Sequence, residues 1–579
     1  MAIYALNKID KSLEDLVYEV VSNTPKDKKV LSKLIKKYSE GKKGTISRSE
    51  VVMTYRKLCD EGKLKSDNKI LELIQMKPTR TQSGVVPVTV LTRPFECPGQ
   101  CIFCPTDIRM PKSYLKDEPG AQRALNNSFD PFLQVYNRLR AFENMGHTTD
   151  KIELLVLGGT WSFYPKDYQV WFVKRCFDAM NTAKTKGIMT LDDLDEKDLD
   201  PTLKTINKNS VRGLPYMSGD RDQHVEKLYE ELVSAQVLNS KSKHRNVGLV
   251  LETRPDWITE KEVIHLRRLG ATKIQIGIQS LDDEILKLNK RGHGVKETKD
   301  AIKYLRLAGF KIHAHWMPNL LGSTLESDYK DFKKLFSKEI SPDELKIYPT
   351  SIIETAELYE VFKRGEFIPY TTDDLVDLLA KCVPHTPRYV RISRLIRDIP
   401  SDDIVSGNKN TNLREVIEKK VIDAGFKLND IRYREIKVRS VEEKELKMKT
   451  LIYDTGYSTE YFISFDTIKD DKIAGFLRLT LPYKNYTKNH YITSLNESAL
   501  IREVHVYGRA NEIGQEAFKT SQHIGLGTKL LLEAERIVKE ENKKEHIFKK
   551  ISVISAIGTR EYYKTKGFSI DGMYMSKEI

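Results

Sequence analysis

Apolar residues recur at helical spacing near the start of the chain: Leu13, Leu16, Val17, Val20 and Val21, then Leu31, Leu34, Ile35 and Tyr38. The pattern predicts a helical N-terminal region over residues 1–75. From residue 85 the period shortens. VVPVTVL (85–91), IELLVLG (152–158), VGLVLET (247–253), KIQIGIQ (273–279), KIHAHWM (311–317) and ELKIYPT (344–350) are β-branched runs separated by longer helical stretches. Alternation of this kind predicts βα units and a parallel sheet, a partial or full barrel of the TIM type, over residues 76–400. Residues 184–246, rich in Lys, Asp and Asn, read as a solvated insertion between the second and third strands. After a linker over 401–430 the pattern changes once more. EYFISFDTIKDDKIAGFLRLTL predicts a β-hairpin, SALIREVHVYG a strand, QHIGLGTKLLLEAERIV a glycine turn opening a helix, and ISVISAIG a further strand. Residues 431–579 are thus a second α/β domain.

Composition narrows the class. The chain has 579 residues, 40% hydrophobic and 31% charged, with mean hydropathy −0.47, which excludes wholesale disorder. No stretch approaches the roughly 18 apolar residues of a membrane span. The opening MAIYALNKIDKSLEDLVYEV interleaves acids with apolar residues, so neither a secretory signal nor a transit peptide is expected. A cytoplasmic protein with no membrane partner follows. Ninety-six Lys plus Arg against 82 Asp plus Glu leave +14, a balance that suits a nucleic-acid partner. Eight lysines lie between Pro25 and Gly44, either a solvated helix face or a phosphate-binding surface.

Six cysteines in such a length cannot make a disulfide framework, and three of them crowd into one segment directly after the first barrel strand. Cys97, Cys101 and Cys104 form C-x3-C-x2-C. Three thiolates in one loop suit three irons of a 4Fe–4S cluster with the fourth iron open. Zinc usually takes paired ligands to reach four, and no second pair is present. Cys59, Cys176 and Cys382 stand alone and read as buried, inert thiols. The spacing resembles the signature of the radical S-adenosylmethionine (SAM) superfamily. That resemblance implies that Gly158 and Gly159 let the backbone approach the methionine end of S-adenosylmethionine. Its other side would be lined by Glu252 and Arg254 of the ETRPD segment and by Gln279.

In the second domain, Gln522, Gly525 and Gly527 fit the Q-x-x-G-x-G/A turn of GNAT acetyltransferases. There the glycine-rich backbone opens a helix whose N–H groups face the pyrophosphate of coenzyme A. Tyr562 and Tyr563 follow where a GNAT tyrosine meets the thioester sulfur, and they are the candidate catalytic pair.

A radical SAM barrel followed by a GNAT domain is similar to the catalytic third subunit of Elongator. The matching segments include KPTRTQSGV, LGGT, ETRPD, IQIGIQS, NKRGH, HWMP, IRDIPSDDIVSGN, REVHVYG, QHIGLGTKLLLEAER and GTREYYKTKGF, in consistent order over roughly 500 residues. The resemblance implies acetyl-CoA contacts at Lys151, at Glu503, Val504, His505 and Val506, at Leu526, Gly527 and Thr528, and at Tyr563. It also implies a reaction: a 5′-deoxyadenosyl radical takes hydrogen from the acetyl methyl group of acetyl-CoA, and the carbon radical adds to tRNA uridine(34). Thioester hydrolysis then leaves 5-carboxymethyluridine. Partners so implied are tRNA, through its anticodon loop, and accessory Elongator-like subunits or a second copy of the chain. Some positions depart from the family: Asn319 stands where many members have Asp, and IRYREIK lacks a cysteine that many carry, which argues against a structural zinc. Two other classes remain, a protein lysine acetyltransferase with a structural barrel and a tRNA-binding scaffold without chemistry.

Overall fold

The computed structural model describes residues 11–40, 45–81, 83–182, 187–195, 198, 221–437, 439, 441–508 and 525–579. Four helices come first: Lys11–Asn23 (α1), Lys28–Ser39 (α2), Arg48–Asp60 (α3) and Asn68–Ile74 (α4). Local chemistry starts two of them. The Asp27 carboxylate accepts the Lys29 and Val30 amides, and Ser47 with Glu50 forms a reciprocal capping box at α3. Their apolar stripes close on one another around Leu16, Leu31, Val51 and Leu58, a core separate from that of the barrel. Lys29, Lys33 and Lys36 remain on the exposed face of α2, whereas Lys42 and Lys43 lie outside the described residues. The bundle is tied to the rest by Arg56, which donates to the His147 carbonyl at 2.9 Å.

The barrel strands are Val86–Leu91 (β1), Lys151–Leu157 (β2), Arg245–Thr253 (β3), Lys273–Gln279 (β4), Lys311–Trp316 (β5), Glu344–Ile347 (β6) and Arg391–Arg394 (β7). All neighbours are parallel and the order is β1-β2-β3-β4-β5-β6-β7, so the sheet curls without closing. Part of each free edge is capped from outside the sheet. The Gln134 amide, on the helix Pro131–Asn144, accepts from Leu91 N at 2.8 Å and donates to Leu91 O at 2.9 Å. Along β7, Ile431 N bonds Val390 O, Arg414 donates to Ile392 O at 2.6 Å, and Arg432 donates to Ser393 O. A sheet whose edges are capped by side chains has no reason to zip shut. The architecture is therefore a partial barrel.

Two stretches differ from their sequence reading. The far end of 184–246 holds the helix Arg221–Asn239, whose Tyr229, Leu232 and Ala235 are buried in the main core. It packs on the helix Lys166–Asn181 as a barrel helix rather than a solvated insertion. Its charged residues are the outer face of an element with one buried stripe. Residues 401–430, read as a linker, hold the helix Leu413–Asp423, with Leu413, Ile417 and Val421 buried. Strand β7 carries no apolar run to announce it, since two of its four residues, Arg391 and Arg394, are charged. Among the described residues no helix is long and apolar enough to cross a membrane.

The second domain has a seven-stranded sheet built from Leu446–Asp454 (β8), Ser458–Thr467 (β9), Ile473–Pro482 (β10), Ser498–Val506 (β11), Lys550–Val553 (β12), Ser569–Asp571 (β13) and Tyr574–Glu578 (β14). Its order is β13-β14-β12-β11-β10-β9-β8, antiparallel except for β11 with β12. That parallel pair is joined only over Ser498–Ile501, while β11 stays paired to β10 as far as Val506. Residues 503–506 of β11 thus leave β12, and a cleft opens between the two strands. The helix Leu526–Glu545 starts beside it.

Buried charge locks this sheet onto the barrel. A register shift in the β10–β11 pairing leaves Arg502 unpaired with a β10 residue. Arg502 clasps Asp343, just before β6, with nitrogen–oxygen distances of 2.6 and 2.8 Å, and reaches Glu460 at 2.8 Å. Arg478 lies 3.4 Å from the same aspartate, and Arg306, from the barrel, 3.5 Å from Glu460. Arg267 adds donations to Ser555 O and Met573 O at 2.8 and 2.6 Å. Burial alone would raise the Asp343 carboxyl, but Arg502, Arg478 and Arg306 outweigh it and hold the group well below the usual carboxylate range.

Removing one member of such a network strands the others in a dry interior. Asp343→Asn should cost about 3–5 kcal/mol at neutral pH, read as a lower denaturant midpoint. Because the folded value is depressed, the stabilisation is present above the unfolded pKa, near 4, and lost as pH falls through the folded one. The gap between variant and wild type should therefore narrow below about pH 4. A constant gap down to pH 2 would show that the charge of Asp343 is not what matters.

Candidate active site

The C-terminal end of the barrel carries the cysteines. Cys97, Cys101 and Cys104 are half-buried in the loop after β1. Two guanidiniums stand over this loop. Arg291 donates toward Cys101 Sγ at 3.3 Å, and Arg254 approaches it at 3.9 Å. Arg254 is itself held by Asp256 at 2.9 Å and donates to Arg291 O at 2.7 Å. A Cβ on Gly99 would sit 2.1 Å from the Arg254 guanidinium, so a larger residue there would have to displace that side chain from the loop. Burial, reinforced by Cys101, pushes the Cys104 thiol up to about 11. A bound iron overcomes such a penalty by taking the thiolate directly, and the two guanidiniums offset the anionic charge of a thiolate-ligated cluster. Among the described residues no three His, Cys, Asp or Glu side chains gather closely enough to hold one metal ion. A cluster does not require that, since each thiolate binds a different iron. Of the three isolated cysteines, Cys176 and Cys382 are buried and Cys59 is half-buried.

The residues expected around S-adenosylmethionine surround this loop. Gly158 has φ +129°, and a Cβ there would meet Thr92 Oγ1 at 2.1 Å. Gly159 follows at φ +64°, close to Lys112. Gln279 ends β4 in the left-handed region at φ +70°, a strained conformation for a residue with a side chain. Its Oε1 is buried with no hydrogen-bond partner, an acceptor waiting for a donor. Glu252 accepts from Tyr114 at 3.4 Å. Arg254 also turns its guanidinium toward the cysteine loop, 3.9 Å from Cys101 Sγ. The donor set and the orphaned acceptor fit a 4Fe–4S cluster with S-adenosylmethionine beside it.

Below this end the barrel is not filled. TIM-type barrels pack their interior with branched apolar side chains. Here the inward positions are Lys273, Gln275 and Gln279 on β4, His313 and His315 on β5, and Glu344 and Lys346 on β6. They line one cavity of about 1740 Å³, which begins at Cys104 and Tyr114 and ends at Glu503, Val504, His505 and Tyr563 of the second domain. Burial holds His313 and His315 well below the ordinary histidine value, so both are neutral.

At the far end Glu503 receives Lys311 at 2.6 Å and Arg478 at 2.9 Å. His505 is pushed down to about 4 by burial, and its Nε2 is buried without a partner. Gly525, at φ +73°, turns the chain into the helix beginning at Leu526, beside the cleft where β11 leaves β12. Tyr563 is buried against Phe568 and lines the cavity, whereas Tyr562 is largely exposed, with its hydroxyl 3.0 Å from where a Gly527 Cβ would be. Lys151 begins β2 at the same end of the barrel. Gln522 lies outside the described residues.

Comparisons with known proteins agree with this architecture. The sequence model of the Radical SAM superfamily matches residues 94–335, and that of the Radical_SAM C-terminal domain matches 342–423. A tRNA uridine(34) acetyltransferase of Methanocaldococcus infernus is 37% identical over 95% of this chain and 98% of its own length. Elongator complex protein 3 of Saccharomyces cerevisiae is 33% identical, over 88% and 86%. The chain belongs to the Elongator complex protein 3 family. A solved structure in that family, the archaeal Methanocaldococcus infernus Elp3 with an N-terminal deletion, superposes with a TM-score of 0.67 at 35% identity. It covers 86% of this chain and all of that one.

Family membership brings the radical SAM cluster and S-adenosylmethionine to the cysteine end. Sequence reasoning missed Arg291, Gln275 and Lys346. A signal existed for Gln275: KIQIGIQ places Lys, Gln, Gly and Gln on one face of a strand.

Anaerobically reconstituted protein should bind about four irons, and replacing Cys97, Cys101 and Cys104 with Ala should abolish that uptake. Arg291→Leu should keep the iron but lower the cluster's reduction potential, because a cation beside Cys101 is lost. An unchanged potential in a redox titration would remove Arg291 from the site.

Proposed function

We propose that the chain modifies the wobble uridine of tRNA, joining the acetyl carbon of acetyl-CoA to the base and forming 5-carboxymethyluridine. The observation that carries this reading is the single cavity connecting the cysteine loop to the cleft between β11 and β12. The relatives named tRNA uridine(34) acetyltransferase support the substrate. When bound, the cluster and S-adenosylmethionine supply a carbon-centred radical able to take hydrogen from an unactivated methyl group.

The chain's own residues supply position, charge and shielding. Backbone N–H groups at the start of the helix Leu526–Glu545 suit the pyrophosphate of coenzyme A, and the stretch of β11 over residues 503–505, beyond its pairing with β12, suits its amides. On this reading the acyl group would lie at His505 and Tyr563, facing into the barrel, where water is limited. Glu503 is held as a carboxylate by Lys311 and Arg478, so it orders the cleft and is poorly suited to accept an amine proton. That arrangement disfavours a protein acetyltransferase, which needs a base facing an incoming lysine.

The open seam between β1 and β7 suits a nucleic acid. Arg80, Arg123 and Arg138 line the cavity there, and no hydrogen bond or ion pair among the described residues engages their guanidiniums. Burial, then Arg123 and Arg80, push Arg138 down to about 9, and its buried Nε has no partner. A phosphate would relieve this repulsion. A wobble base splayed from an anticodon loop would then reach inward.

Incubation with tRNA, acetyl-CoA, S-adenosylmethionine and a reductant should yield 5-carboxymethyluridine by nucleoside mass spectrometry. Gly527→Glu, which sets a carboxylate at the start of the acyl-binding helix, should abolish the product. So should Cys101→Ala. Amine acetylation sustained by Cys101→Ala, with no modified uridine from the wild type, would favour the acetyltransferase reading instead.

A further inference from the structure

Midway between the two ends of the cavity, one amide is fixed in place with its donor unused. Gln275 is fully buried on β4, yet it lines the cavity. Its Oε1 accepts two bonds, one from His315 Nε2 at 3.1 Å and one from the Lys346 ammonium. An ammonium is a donor only, so the amide cannot turn over: oxygen must face Lys346 and nitrogen must face away. That nitrogen is buried and has no hydrogen-bond partner. A buried amide donor left open in a native fold calls for an explanation, because leaving it unpaired is costly. Lys346 stands beside it, also buried and also lining the cavity.

The surroundings define what would fit. Toward the cysteine end lie Glu252 and Tyr348, and the His315 ring meets Tyr348 edge-on at 5.6 Å. Toward the acyl end lie His313 and Glu344. The groups on offer at the centre are N–H donors, held in a low-dielectric wall and oriented in advance. A carbonyl oxygen on a flat ring satisfies them; an exocyclic amino group does not.

We propose that the Gln275 amide and the Lys346 ammonium form the base-reading site of the barrel, gripping the 4-oxygen of a uracil ring and rejecting cytosine, whose 4-amino group would meet donors with a donor. This rests on the wobble-uridine reading above and adds the residues that choose the base. Uracil presents an acceptor at that position and cytosine a donor, so the same contact attracts one and repels the other. The position also suits the chemistry, since the ring would lie between the cofactor end and the acyl group. Burial lowers Lys346 to about 8, with Glu252 opposing the shift and Arg394 and Lys273 adding to it, which leaves most of it charged at neutral pH.

The test pairs a side-chain deletion with an atom deletion. Full-length protein, reconstituted with its cluster, is given an anticodon stem-loop carrying either uridine or 2-pyrimidinone, which lacks the 4-oxygen, at the wobble position. Carboxymethyl adduct is measured by mass spectrometry. The wild type should lose about 100-fold in rate on the analogue. Lys346→Met should lose a similar factor on uridine and almost nothing further on the analogue, because the contact is already gone. Gln275→Leu serves as a second variant with the same expectation, and iron content reports that each has folded. Losses that multiply, or a wild-type rate on uridine from both variants, would overturn the proposal. A wild type that forms no adduct on uridine would instead overturn the underlying reading.

Discussion

The clasp between Arg502 and Asp343 determines how the rest of the molecule can work. One partner comes from a strand of the second domain and the other from the turn before a barrel strand, and both are fully buried. Glu460, Arg306 and Arg478 complete a network in which every charge faces an opposite one. A buried ion pair is seldom a net source of stability over an apolar contact of equal size. Its effect is to specify geometry: with these charges in place, the second domain has one seat on the barrel, at the N-terminal ends of β5 and β6. The cleft between β11 and β12 then points up the barrel rather than toward solvent.

That seat would be useless if the barrel were filled. Its inward positions are polar and the sheet does not close; Gln134 caps β1 at Leu91, while Arg414, Arg432 and Ile431 cap carbonyls along β7. Edge capping thus has a functional result. It leaves a seam through which a strand of nucleic acid can approach from the side. Among the described residues Arg80, Arg123 and Arg138 flank that seam without carboxylate partners, at a cost that a bound phosphate would offset. On the function proposed above, the same open interior would let a base lie between the cysteine end and the second domain.

Much of this was legible in the sequence. The spacing of Cys97, Cys101 and Cys104 points to the Radical SAM superfamily whose model matches residues 94–335, and the turn at Gly525 stands before an amphipathic helix as its glycines suggest. The strands with β-branched interiors stand out, as in VGLVLET and SALIREVHVYG. What stayed hidden follows one physical theme: charge used inside. RISR looks like a loop because its strand faces a polar cavity, and the helix Arg221–Asn239 looks solvated because only a narrow stripe is buried. Arg254 sits in a motif expected to touch the cofactor, whereas its guanidinium is spent on Cys101 and Asp256. Gln275 and Lys346 are far apart in the chain, and no local pattern announces that one orients the other.

The central claim is that two chemically different ends form one site. Acetyl-CoA deuterated in its acetyl methyl group tests this most directly, by following the label in the presence of S-adenosylmethionine, reductant and tRNA. If the cavity joins the ends, deuterium should appear in 5′-deoxyadenosine from the wild type and vanish in Gly527→Glu, although that variant keeps its iron. Unlabelled 5′-deoxyadenosine from a wild type that still produces modified tRNA would contradict the account, since hydrogen would then be taken from somewhere other than the acyl group at the far end of the barrel.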